Sequence, residues 1–166
     1  EATRLARDTT PPADLRLVVV DSPADDRFAI VQTDHAAGAR LATEHLLALG
    51  HATVHHLAGP EASFAAQERE RGWREALTDA DAAAPEVVRG DWTSRGGHAA
   101  GAALADATAV FAANDQMALG LLRAFSDAGR AVPDDVAIVG FDDVVDASQY
   151  RPPLTTVRQD FDALGA

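Results

Sequence analysis

From about Thr53 onward, short runs of strand composition alternate with stretches of helical period at roughly 30-residue spacing. This alternation limits the possible folds more than any other feature of the chain. The runs are 53–57 (TVHHL), 86–89 (EVVR), 109–113 (AVFAA) and 136–140 (VAIVG). The first leads into a helix from about Ala65, with Ala66, Trp73 and Leu77 along one face. The second leads to a helix capped by Ser94 that runs through His98, Ala103 and Leu104. The third leads into a strongly apolar helix over 117–128, closed by Gly129. Repeated strand–helix units build a parallel sheet, and strands that are apolar throughout are what burial on both faces demands. The expected class is α/β, with helices on both sides of a doubly wound parallel sheet.

Both ends of the chain contribute a second piece. Residues 15–20 (LRLVVV) and 28–32 read as strands, and Asp34 caps a helix over 35–49 that stops at Gly50. Two strands and one helix do not close a core alone. Residues 154–157 (LTTV), beyond Pro152-Pro153, read as a strand returning to this first piece. The expected organisation is a partial lobe over 1–50, a complete lobe over 51–152 and a return segment over 153–166.

At 166 residues, 47% hydrophobic and 24% charged, the chain reads as an ordinary globular protein with enough length for a sizeable core. It has no cysteine, which excludes disulfides and thiolate metal sites. No apolar run approaches the ~20 residues needed to span a bilayer, and no signal peptide is visible, so no membrane contact is expected. Net charge is −12, and every basic residue is an arginine. A phosphate backbone would repel this surface, so the segment is not expected to bind DNA by itself.

In open parallel sheets a ligand sits outside the carboxyl ends of the strands. Those ends carry Gly59-Pro60, Asp91-Trp92, Asn114-Asp115-Gln116 and Asp142-Asp143. Carboxylates, an amide and an indole on one rim suit a polyol. A carboxylate accepts from neighbouring hydroxyls, Asn both donates and accepts, and an indole face covers the C–H face of a sugar ring. Arg69, early in the helix after Gly59-Pro60, would bring a forked donor to the same rim. Each assignment has a plainer alternative. Asp91, Asp115 and Asp143 read equally as helix caps or solvated loop residues, Trp92 as core, and Arg69 as part of the solvated charge run 68–71 (ERER). Asp142 stands apart because it follows a fully apolar strand directly at the mouth position.

Enzyme signatures are missing: there is no Gly-x-Ser-x-Gly elbow, no phosphate loop with lysine and no strand-linked Gly-x-Gly-x-x-Gly. Ser94-Arg95-Gly96-Gly97 reads as the start of a helix. His45, His51, His55 and His56 invite a metal, but His55 and His56 are adjacent on a strand and face opposite sides, with no carboxylate at ligand spacing. Asp142, Asp143 and Asp146 could hold Mg²⁺ in a phosphotransfer enzyme, yet no lysine or nucleophile motif supports one. No catalytic residue, cofactor or metal is assigned.

Several motifs carry a family resemblance that runs from about Leu17 to the end. Gly38-Ala39-Arg40 leading to His45-Leu46-Leu47-Ala48-Leu49-Gly50-His51, then Gly59-Pro60, Arg69 and Gly72-Trp73, resemble the LacI/GalR family of bacterial transcriptional regulators. So do Asn114-Asp115-Gln116-Met117-Ala118-Leu119-Gly120, the run 132–143 (VPDDVAIVGFDD) and the run 152–161 (PPLTTVRQDF). Gly90-Asp91-Trp92 and the Asn-Asp-Gln motif look close to lactose-repressor-type members. The resemblance implies a two-lobed, periplasmic-binding-protein-like fold, one lobe complete and the other partial, with a small-molecule sugar effector between the lobes. It implies effector contacts at Arg69, Trp92, Asn114, Gln116, Asp142 and Phe161, and a homodimer interface at Leu119 and Tyr150. It further implies a cytoplasmic protein that meets operator DNA only through an N-terminal helix-turn-helix headpiece, which these residues do not include. The strands that open the first lobe, and the helix and strand that follow Ala166 in family members, are likewise outside the sequence. Ala37 and Ala65 stand where lactose-repressor-type members carry polar groups, so a different sugar is expected. A transporter's extracytoplasmic sugar receptor shares this fold and chemistry, and is the alternative reading.

Overall fold

In a computed structural model, residues 18–23, 26 and 28–160 are described, and the chain divides into two units at Thr33/Asp34 and at Gln159/Asp160. In the smaller unit, β1 (Val18–Val20) pairs in parallel with β2 (Ala29–Val31). The Asp21 amide donates to the Val31 carbonyl (3.0 Å), and the Thr33 amide to the Asp21 carboxylate (3.1 Å). Residues 15–17 of the expected first strand lie outside the described residues.

The larger unit runs α1 (His35–Ala48), β3 (His55–Ala58), α2 (Phe64–Asp79), β4 (Val88–Arg89), α3 (Ser94–Ala100), β5 (Ala109–Ala112), α4 (Asp115–Asp127), β6 (Ala137–Asp142) and β7 (Thr155–Arg158). A 3₁₀ turn over Gly101–Leu104 extends α3. Four helices start on side-chain caps: Asp34, Ser63, Thr93 and Asn114 each accept from a backbone amide of the first turn. The cap of α3 is thus Thr93 rather than the expected Ser94, which is its first helical residue. Gly50 and Gly129 follow the ends of α1 and α4 with φ of 97° and 72°, a region open to glycine without a Cβ penalty.

The sheet is parallel throughout, in the order β4-β3-β5-β6-β7. Alternate residues of the strands feed two cores. Val110, Ala112 and Ile138 pack with Leu57, Met117, Leu121 and Phe125 on the α3–α4 side. Phe111, Val139 and Phe141 pack with Ala39, Leu46, Trp73 and Leu77 on the α1–α2 side. This is the two-sided burial that the apolar runs imply.

Two expectations are corrected here. Helix 35–48 does not belong with the first strands; its small face of Ala39 and Ala42, with Leu46, is buried in the same core as Trp73 and Phe111. The strand after Pro152-Pro153 does not return to the smaller unit but pairs with β6 as the fifth strand, so the larger unit spans 34–159 rather than 51–152. Local composition marked both elements correctly but could not name their partners, because pairing is decided by contacts remote in sequence. Leu154, which reaches the α3–α4 core, and Thr156, bonded to Asp115 (2.6 Å), hold β7 in place.

Paired helices approach closely at glycines. A Cβ on Gly72 of α2 would lie 2.0 Å from the Ala36 carbonyl oxygen of α1, and one on Gly120 of α4 would lie 1.9 Å from the Ser94 carbonyl oxygen. Backbone cannot yield as a side chain tip can, so Gly72→Ala is expected to cost about 1–3 kcal/mol of stability. Urea unfolding measures this, and an unchanged midpoint would mean the two helices separate without loss.

Candidate functional site

The strand order reverses between β3 and β5: the chain runs outward from β3 to β4, then back across to β5, β6 and β7. At such a reversal the loops leave on opposite sides and open a crevice at the carboxyl ends of the strands. The residues gathered there are Gly59 after β3, Trp92 after β4, Asn114 after β5 and Asp142 at the end of β6.

Arg69 is the hub. It sits on α2 with 5% exposure, and its Nη1 donates to the Ala113 carbonyl past β5. Nη2 donates to Asp142 Oδ1 (3.2 Å) and meets His35 Nδ1 (3.4 Å). The guanidinium carbon stacks 3.8 Å from the centre of the Phe141 ring and lies 5.7 Å from that of Trp92. The solvated-helix reading applies to its neighbours instead, since Arg71 pairs with Glu68 and Glu75, and Arg74 with Glu70.

Asp142 Oδ1 also accepts from Gln159 Nε2 (2.7 Å), whereas Oδ2 accepts from none of the described residues. Burial pushes the carboxyl above its usual range, against the pull of Arg69. Asp142 and Trp92 both hold positive φ, 107° and 69°, as does Asp143 at 52°. Such backbone is uncommon for residues with a side chain and concentrates where structure serves recognition. The Trp92 indole lies on Gly59, where a Cβ would come within 2.2 Å of the ring, and it also packs on the α3–α4 core. Trp92 is therefore both core and rim.

Asn114 is largely committed: its Oδ1 caps α4 through Met117 (2.9 Å), and its Nδ2 holds the Trp92 carbonyl (3.1 Å), leaving one N–H. Gln116 is exposed on the first turn of α4, and its side chain makes no hydrogen bond among the described residues. Asp115 is fully buried and fastens the sheet edge, accepting from Thr156 (2.6 Å) and the Val144 amide (2.9 Å); burial pushes its carboxyl up. Asp91 accepts from its own loop at Thr93, and Asp143 pairs with Arg158. Asp91 thus takes the plainer role of a loop residue and Asp143 that of a surface ion-pair partner, whereas Asp115 is neither cap nor solvated loop but a buried fastener. Phe161 lies outside the described residues. Leu119 is 39% exposed on α4, and Tyr150 is half-buried against the α3–α4 core. Sequence reasoning missed His35 and Gln159; each sat inside a quoted or capped segment with nothing local to mark it.

Residues 43–166 match the periplasmic binding protein-like domain model. The chain is 40% identical over 168 residues to the lactose operon repressor of Klebsiella pneumoniae, covering 99% of this chain and 47% of that protein. The chain belongs to the LacI/GalR family. Among solved LacI/GalR structures, it superposes on a Lac repressor dimer bound to operator and an anti-inducer with a TM-score of 0.85, at 38% identity over 92% of this chain and 55% of that one. The complex of the transcriptional regulator CelR with cellobiose gives 0.84, also at 38% identity, over 89% of this chain and 48% of that one. The chain spans less than half the length of the curated family members it matches. No helix among the described residues is long and apolar enough to cross a membrane.

Proposed function

We propose that the chain is the sugar-sensing, effector-binding part of a cytoplasmic bacterial transcriptional regulator, with no catalytic role. The observation that carries this reading is the Arg69–Asp142 pair at the reversal of strand order, beside the indole of Trp92. Asp142 Oδ2 accepts from a sugar hydroxyl, Asn114 offers its remaining N–H, Gln116 either donates or accepts, and Trp92 covers a C–H face. Arg69 orients Asp142 and balances its charge, and Phe161 completes the contact set. A Lac repressor bound to operator and a CelR bound to cellobiose, both near neighbours in fold, favour the regulator over a transporter's receptor.

The parent protein then acts as a homodimer through surfaces that include Leu119 and Tyr150, and reaches operator DNA through an N-terminal headpiece. Sugar shifts the DNA affinity, and DNA shifts the sugar affinity by the same factor, typically by ~1–3 kcal/mol. Calorimetry of the full-length parent against galactosides, glucosides and free monosaccharides tests the first step. Asp142→Asn keeps the shape and tolerates positive φ, and it is expected to weaken binding by roughly 10–100-fold through loss of a charge-assisted hydrogen bond. Silence across the panel from a folded protein would overturn the sugar assignment.

A further inference from the structure

His35 and Gln159 occupy two special places in the chain. His35 is the second residue after the passage from the smaller unit at Thr33/Asp34, and Gln159 is the last before the passage back at Gln159/Asp160. Both are bonded to the same ion pair, His35 Nδ1 to Arg69 Nη2 (3.4 Å) and Gln159 Nε2 to Asp142 Oδ1 (2.7 Å). An arginine only donates, so His35 Nδ1 is the acceptor and the ring proton sits on Nε2. His35 is 2% exposed and lies tilted against Phe141, 6.2 Å between ring centres, so its ring has little room to turn. Arg69 is anchored independently at the Ala113 carbonyl. A displacement of Asp142 therefore pulls on Gln159 directly and on His35 through the shared Nη2.

We propose that His35 and Gln159 are positioning residues that tie the Arg69–Asp142 pair to both points where the chain passes between its units, so that a ligand seated on Asp142 acts on both passages at once. This rests on Asp142 being the ligand contact proposed above, but the tie itself is a property of the free protein. The coupling runs through contacts of one or two side chains, not a long pathway.

Hydrogen exchange on the ligand-free full-length parent tests the tie, with amides of residues 109–112 as the internal reference for global stability. Arg69→Met is expected to speed exchange at least tenfold, relative to that reference, at both 35–38 and 157–159. His35→Leu, which fills the space without an acceptor, speeds only the first segment, and Gln159→Leu only the second. His35→Asn, whose Oδ1 stands near the place of Nδ1, restores wild-type protection. Long-range ¹H–¹⁵N spectra should show His35 protonated at Nε2. Should Arg69→Met prove too unstable, Asp142→Leu, which removes the acceptor of both bonds, serves in its place, with faster exchange at 157–159 as the expected readout. Unchanged exchange at both segments in the arginine variant, or a His35 proton on Nδ1, would overturn the proposal. Lactose and cellobiose are then added as probes. Slowed exchange at both passages in the wild type, reduced to one passage in each leucine variant, extends the tie to ligand response. A probe that binds yet slows neither passage overturns that extension. If neither sugar binds, any sugar of the calorimetric panel that does takes their place, and silence across that panel counts against the sugar reading, while the ligand-free results still decide the tie.

Discussion

Arg69→Met is expected to lower the unfolding free energy by about 2–3 kcal/mol, less than the cost of stranding a fully buried charge, because the Asp142 side chain is only half-buried. Methionine fills most of the volume and keeps the contact with Phe141, so the loss is electrostatic rather than a cavity. It leaves Asp142, already raised by burial, without the charge that pulls it down, and it takes a donor from the Ala113 carbonyl and from His35. The double variant Arg69→Met/Asp142→Asn removes the stranded charge and should recover part of the loss, because the two substitutions share one interaction. Urea unfolding followed by circular dichroism measures both. A loss below ~1 kcal/mol for the single variant would mean that water, not the guanidinium, compensates Asp142.

His56 produces the second large effect, through pH. The imidazole is fully buried on β3, between Phe111 (4.8 Å between ring centres, 7° between planes) and Trp73 (5.3 Å, 27°). Its Nδ1 is bonded to the Phe111 carbonyl (3.0 Å), and its Nε2 has no hydrogen-bond partner among the described residues. Burial pushes the pKa down from 6.5 to about 4. The folded state thus resists a proton that the unfolded chain accepts. This contribution to stability is whole above pH 6.5 and shrinks as pH falls, reaching a loss of about 3 kcal/mol by pH 4. Asp115 and Asp142, both raised, work in the opposite sense on acidification, so the His56 share must be isolated by substitution. His56→Leu is expected to fall within ~1.5 kcal/mol of wild type at pH 7.5 and to lack this acid-sensitive share. Parallel stability curves for the two proteins between pH 7.5 and 4 would mean that His56 is hydrated in the folded state.

Much of the fold was legible because its signals are local. Apolar runs gave the strands, and Asp34, Asn114, Gly50 and Gly129 lie at helix ends where their side chains, or lack of one, satisfy terminal backbone. What depends on a remote partner was not legible. Nothing in LTTV distinguishes pairing with β6 from pairing with β1, and the small face of helix 35–48 fits any apolar surface. The site divides in the same way. Asp142 was visible from its position after an apolar strand, and Trp92 from its place after a Gly-Asp turn. His35 and Gln159 acquire meaning only when the ion pair lies between them, which residue type alone does not reveal. The aspartates at 91, 115 and 143 show the converse, since a carboxylate at a strand end is as readily absorbed by its own loop, helix or sheet edge.

Left-handed backbone at Trp92, Asp142 and Asp143 has a consequence for how this sequence can change. Glycine would relieve each position of roughly 1–2 kcal/mol of steric cost, yet at 92 and 142 it would delete the indole and the carboxylate of the proposed site. Selection for robustness and selection for recognition therefore act on the same codons in opposite directions.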